Sequence, residues 1–173
     1  MTPGTVLPRL VEADPRAGRL LADLGSHTAL LWSGSEVRVP VAAMSDALAA
    51  ALKSAYSANR VVRGMEGAQQ TLAAEERGLR IADRQSGAPR GVRVSRLLIL
   101  ANDGAERFYR QVESLLRRHG PRVLAVRVAI DALHAFYERR TERVVRSWMT
   151  RDLRQESIED NLLYVRTLLE PLR

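Results

Sequence analysis

The chain contains no cysteine, so neither a disulfide nor a thiolate metal site can hold it together. Long hydrophobic runs are also missing, because apolar stretches such as Leu97–Ala101 are far too short to span a bilayer. The first residues, MTPGTVLPRLVEADPRAGR, lack the basic and then apolar segments of a signal peptide. We therefore expect a cytoplasmic protein with no membrane partner, stabilised by side-chain packing alone.

Common catalytic motifs are absent as well. The sequence has no GxxxxGK[ST], no GxGxxG and no GxSxG, which removes the usual signatures of nucleotide hydrolysis, dinucleotide binding and serine hydrolysis. The three histidines, at positions 27, 119 and 134, do not stand at metal-ligand spacing from other ligating residues. The sequence thus favours a protein that is not an enzyme and needs no cofactor or metal.

Lysine is nearly absent, since Lys53 is the only one among 27 basic residues. The net charge is +7 and the pI about 10.8, which favours a nucleic acid, an anionic membrane or an acidic protein as partner. A strong preference for arginine is equally typical of a genome rich in G and C. Charge alone therefore leaves the function open.

The N-terminal third predicts a hairpin followed by helices. Residues 1–27 are expected to be mostly irregular, with one helical turn at Leu20–Leu24. Thr28–Trp32 and Glu36–Val41 predict a β-hairpin, with Pro40 placing its second strand at a sheet edge. Ser45 is the expected N-cap of a helix to about residue 59, and a second helix runs from Gly64 to about Gly78.

The clearest pattern is a β-α-β unit. Leu97–Ala101 and Val123–Ile130 predict strands on either side of an amphipathic helix, Ala105–His119, and strands joined in this way are parallel and buried. Asp131–Met149 and a last C-terminal segment predict two further helices. The expected fold class is α/β, a small α/β/α sandwich with a parallel β-α-β core, an N-terminal β-hairpin and a C-terminal helical appendage. Its parts are 1–45, the core 46–149 and the helix 150–173.

One acidic site is conceivable in this fold. Asp103 follows the first core strand and Asp131 the second, and the carboxyl ends of parallel strands meet at one sheet edge. Two carboxylates there would suit Mg²⁺ in a nuclease or phosphotransferase. The alternative is structural: Asp103 as an Asx-turn residue and Asp131 as an N-cap.

The order of features over residues 46–137 resembles the kink-turn RNA-binding family of ribosomal proteins. The resemblance is carried by Val61-Val62-Arg63-Gly64-Met65-Glu66, by Leu97–Asp103 and by Pro121–Val128. Family members open the corresponding helix with Gly-x-Asn-Glu, whereas this chain has Gly64-Met65-Glu66 without the Asn. The resemblance implies a non-enzymatic protein that binds structured RNA, in a ribosomal setting.

Two function classes follow. For RNA binding, the residues predicted to contact the RNA are Arg60, Arg63, Gly64, Glu66, Arg90 and Arg93. The alternative RNA-binding site consists of Arg107, Arg110 and Arg117. Tyr109 is expected to be exposed and able to stack on a base. For an assembly subunit, apolar residues of the C-terminal helices would form a homodimer interface: Trp148, Leu163, Tyr164 and Leu168.

Overall fold

A computed structural model describes residues 5–87, 92–128 and the strand at 147–150. In chain order the elements are α1 (Arg9–Glu12), α2 (Ala17–Ser26), β1 (Thr28–Leu30), β2 (Arg38–Ala42), α3 (Asp46–Ser57), β3 (Val61–Arg63), α4 (Gly64–Ser86), β4 (Arg96–Ala101), α5 (Glu106–His119), a 3-10 turn (Gly120–Arg122), β5 (Val123–Val128) and β6 (Ser147–Thr150).

The six strands form one mixed sheet in the order β1-β2-β5-β4-β6-β3. The predicted core is confirmed: β4 and β5 are parallel neighbours, in register from Arg96 opposite Val123 to Ala101 opposite Val128. Strand β2 runs parallel to β5, while β1 and β6 are antiparallel to their neighbours. The hairpin therefore belongs to the same sheet as the core, and the predicted α/β class is confirmed.

Both faces of the sheet are buried, which explains the near-continuous apolar run in β4. Leu97 and Ile99 pack in one cluster with Leu48 and Leu52 of α3. Leu98 and Leu100, their neighbours in the strand, point the other way. They pack in a second cluster with Leu72 of α4 and with Val112 and Leu115 of α5. Alternate residues of a strand face opposite sides, so the sheet is the middle layer of three.

The parallel strands give the sheet two chemically different ends. Helices α3, α4 and α5 each begin just after the last residue of a strand, at the end we call the carboxyl edge. Each helix then returns to the opposite end, the amino edge, where the next strand starts. Glu75 of α4 forms an ion pair with Arg96, the first residue of β4, so α4 has reached the amino edge by residue 75.

Two expectations for the N-terminal third are wrong. Residues 9–26 carry two helices where an irregular segment was expected, because Leu7, Val11, Ala17 and Leu20 bury one another in a small cluster of their own. Strand β2 is internal, although it contains Pro40. The proline is tolerated because pairing with β5 begins only at the next residue, Val41. The N-cap at Ser45 is confirmed by its side chain, which accepts from Leu48 N at 3.1 Å.

Helix α4 is longer than its sequence predicts. It passes Gly78 and ends at Ser86, where Gly87 adopts a left-handed conformation with φ 62°. A glycine inside a helix costs only about 1 kcal/mol. The Glu75–Arg96 ion pair and the bond from Arg80 Nε to Glu76 Oε1 support the helix on either side of Gly78.

Residues 147–149 were expected to end a helix, and this is wrong. Ser147–Thr150 is strand β6, which pairs antiparallel with both β4 and β3. Trp148 stands opposite Ile99 on one side and Arg63 on the other, so it lies within the sheet rather than on a C-terminal helix. The space between β4 and β3 requires a strand to satisfy their backbone groups, and this requirement overrides a local helical pattern.

Tyr109 is buried, which reverses the prediction that it is exposed. Its hydroxyl donates to Ala101 O at 2.8 Å and accepts from Gly104 N at 3.1 Å, closing the turn between β4 and α5. Gly104 is required there, because a Cβ would lie 2.4 Å from the ring of Phe108. Tyr109 therefore serves the turn and is not available to stack on a base.

Replacing Tyr109 with Phe should destabilise the protein by about 1–3 kcal/mol, since Gly104 N and Ala101 O then lose a buried partner. Urea unfolding followed by circular dichroism measures the change. Phe108→Leu keeps both hydrogen bonds and serves as the control. A loss below about 0.5 kcal/mol in Tyr109→Phe would show that water replaces the hydroxyl.

Candidate nucleic-acid interface

The residues predicted around the opening of α4 lie along one short edge strand. Arg63 is exposed, and its guanidinium carbon lies 5.0 Å from the ring centre of Tyr56 in α3. Gly64 has φ 78°, a conformation that other residues rarely adopt, which explains the glycine. Glu66 is exposed and accepts from Gln70 Nε2 at 3.2 Å, while Arg60 is half-buried at the other end of β3.

The predicted set does not converge on a single point. Strand β6 pairs with both β3 and β4, and its register puts Arg60 at the same level as the start of β4, at the amino edge. Gly64 and Glu66 belong to the carboxyl edge. Arg93 is also at the amino edge, and its Nη1 donates to Leu7 O at 2.7 Å and to the Glu12 carboxylate at 2.6 Å. Arg93 thus ties the N-terminal segment to the sheet. Arg90 lies outside the described residues.

Two other predicted sites fall partly outside the described residues. Asp103 is exposed in the turn after β4, but Asp131 is not among the residues that the structure describes. Within the described ranges, no group of three or more acidic or histidine side chains could hold a metal ion. The interface residues Leu163, Tyr164 and Leu168 also lie outside, so the homodimer stays a prediction.

The topology concentrates arginine at the amino edge. The second half of α4, the end of α5 and the starts of β3, β4 and β5 all meet there. Among the described residues, this end holds Arg60, Arg77, Arg80, Arg84, Arg93, Arg96, Arg117, Arg118 and Arg122. Six acidic residues belong to the same elements or contact these arginines: Glu12, Glu36, Glu75, Glu76, Asp83 and Glu113.

The carboxyl edge has no such excess. Its acidic residues are Asp46, Glu66, Asp103 and Glu106, and its arginines are Arg63, Arg107, Arg110 and Arg127. The negative ends of the helix dipoles of α4 and α5 face the amino edge and favour cations there. That effect accounts for arginines in the last turns, but not for the excess over the whole edge.

Some amino-edge arginines are paired and others are not. Arg80 binds Glu76 at 3.2 Å, and Arg117 binds Glu113 at 2.7 Å. Arg77, Arg84 and Arg118 are exposed and form no ion pair within the described ranges. These three side chains, which we call the free arginines, are therefore positioned to meet an anion at no cost in broken ion pairs. Residues 76–86 of α4, about 16 Å of helix, carry two of them.

The outer face of α5 adds a shallow concavity beside the free arginines, lined by Arg110, Glu113, Ser114, Arg117 and Arg118. Two of its lining residues contact Trp32 of the hairpin: Trp32 Nε1 donates to Glu113 Oε2 at 2.6 Å, and the guanidinium of Arg110 lies 4.7 Å from the Trp32 ring centre. The Trp32 hydrogen bond and, next, those from Arg117 lower the pKa of Glu113. Glu113 thus stays charged and holds the hairpin against α5.

Beneath this surface lies a buried layer of charge. Arg96 and Arg122 are each 6% exposed, and Glu75 is placed between them. Arg96 Nε donates to Glu75 Oε2 at 3.2 Å, whereas Arg122 Nη1 is 3.8 Å from Glu75 Oε1. His119 is buried at the end of α5, and burial lowers its pKa, as do the charges of Arg122 and Arg118, against Glu76 and Glu75.

The lowered pKa of His119 predicts a loss of stability in mild acid. The unfolded chain takes up a proton near pH 6.5 and the folded protein only at lower pH, so stability is complete above 6.5 and declines as pH falls below it. Urea midpoints at pH 7.5 and 5.5 measure the decline. His119→Gln removes the titrating ring and should show a smaller difference between the two pH values. Equal differences would assign the decline to other groups.

No single pattern in the sequence indicates the amino-edge surface. Its arginines are spread between positions 60 and 122, without a basic run. One usable signal was the outer face of α5, where Arg110, Arg117 and Arg118 share a side. No protein-family model, curated protein or solved structure matches the chain. Among the described residues, no helix combines the length and apolarity needed to cross a membrane.

Proposed function

We propose that this protein is a non-enzymatic RNA-binding protein whose amino edge contacts the phosphate backbone. The observation that carries the proposal is the set of free arginines, Arg77, Arg84 and Arg118, on the end of the molecule where arginines outnumber acidic residues. Arginine suits this role because its planar guanidinium can bond a phosphate through two nitrogens at once.

RNA is preferred over other polyanions for two reasons. The order of elements resembles the kink-turn RNA-binding family, and the ribosome is therefore the first setting in which to look for the ligand. Tyr56, in the last turn of α3 and so near the amino edge, also presents an exposed aromatic ring that suits stacking on an unpaired base. Structured RNA offers both phosphates and unpaired bases, so it fits the two features together.

Crosslinking in cells, followed by recovery of bound RNA, tests the function directly. We expect RNA in the recovered material, and the affinity of the purified protein for that RNA should fall steeply with salt. Contacts to three phosphates give a slope of log K against log salt of about −2 to −3. Recovery of protein partners without RNA would instead favour an assembly subunit, and an affinity independent of salt would contradict the phosphate contacts.

A further inference from the structure

The buried layer at the amino edge holds more positive than negative charge. Arg96 and Arg122 share the carboxylate of Glu75, and both guanidinium groups are more than nine-tenths buried. Arg96 makes a hydrogen bond to that carboxylate, but Arg122 stays beyond hydrogen-bond distance at 3.8 Å. Glu75 therefore bonds Arg96 rather than Arg122, and its carboxylate compensates the charge of Arg122 only in part.

The guanidinium of Arg122 finds no hydrogen-bond acceptor among the described residues. Its Nη1 and Nη2 atoms are both buried and form no hydrogen bond there, and the same is true of Nδ1 of the nearby His119. A buried donor without a partner is costly, and a buried charge without one more so. Proteins rarely retain such a group unless something else supplies the missing acceptor.

We propose that Arg122 is the binding residue of a phosphate site at the amino edge, with His119 as a second donor. A tetrahedral oxyanion supplies two oxygens to Nη1 and Nη2 and a third to the imidazole, and its charge compensates the excess of the buried layer. The exposed Arg117 and Arg118 at the end of α5 attract anions to this edge. Because both nitrogens are covered in the structure, entry of phosphate requires a neighbouring side chain to move.

The phosphate has two sources, inorganic phosphate and the RNA backbone, and the site itself does not rest on RNA binding. The first arm of the test is thermal unfolding of the full chain in inorganic phosphate, with chloride added to keep the ionic strength constant. We expect a saturable rise of the midpoint, by about 2–4 °C at a phosphate concentration about four times the dissociation constant. Arg107→Met, an exposed arginine at the carboxyl edge, should keep this rise and Arg122→Met should lose it.

A second measurement covers the case in which Arg122→Met does not fold. In the native protein, titration with phosphate should shift the NMR signals of the His119 ring nitrogens, with the same dissociation constant as the thermal rise. Absence of both the shift and the rise, or an equal rise in folded Arg122→Met, overturns the site.

The second arm identifies the source of the phosphate. Competition between inorganic phosphate and RNA in the native protein, relieved in Arg122→Met, assigns the site to the RNA backbone. A saturable rise without such competition assigns it to a free anion. If RNA does not bind at all, the proposed function fails while the phosphate site stands or falls on the first arm.

Discussion

Removing two free arginines, Arg77→Ala and Arg118→Ala, should weaken RNA binding about 30-fold at moderate salt. Each side chain is exposed and lacks an ion pair within the described ranges, so its loss breaks no internal contact and should leave stability nearly unchanged. An exposed arginine–phosphate contact contributes about 1 kcal/mol, and two such losses give this factor. The salt slope should become shallower by about 1.5–2.

The matched control removes the same charge from the other end. Arg63→Ala with Arg107→Ala also deletes two exposed arginines, but at the carboxyl edge. Fluorescence anisotropy with one labelled RNA, at several salt concentrations, compares the two variants. A larger loss in the carboxyl-edge variant would place the RNA at the opening of α4 and contradict an amino-edge interface. Equal losses would indicate a general charge effect without a defined surface.

Replacing Glu75 with Gln should cost about 3–5 kcal/mol of folding free energy, the largest stability effect we expect from one polar substitution. The change leaves Arg96 and Arg122 buried without a carboxylate between them, although the side chain keeps its size. Urea unfolding at pH 7.5 measures the loss. If the variant is already unfolded without urea, it shows no cooperative transition, and this outcome corresponds to the largest loss of folding free energy that we expect.

The adjacent Glu76 provides the control for this prediction. Its partner Arg80 is 65% exposed, so Glu76→Gln removes an ion pair that water screens and should cost at most about 1 kcal/mol. The two substitutions share a helix, a chemical change and nearly the same helix propensity. Similar losses in both would mean that the charge of Glu75 does not stabilise the buried arginines.

Local patterns in the sequence determined the core of this protein. The alternating and continuous apolar residues of 97–101 and 123–128, and the glycine and proline after His119, were sufficient to predict two parallel buried strands and the helix between them. Such elements follow from the chain itself, because a β-α-β connection allows few arrangements. Ser45 as an N-cap was predictable for the same reason, since its hydrogen bond is made within one helical turn.

Only the tertiary structure decided which residues share a surface. Ser147–Thr150 is a strand because β4 and β3 leave a space for one, and Tyr109 is buried because its hydroxyl closes a turn that begins at Ala101. The amino edge follows from the parallel order of strands, which brings together arginines more than 60 positions apart in the chain. Arginines that are spread along the sequence meet on one surface because α3, α4 and α5 all end at the amino edge.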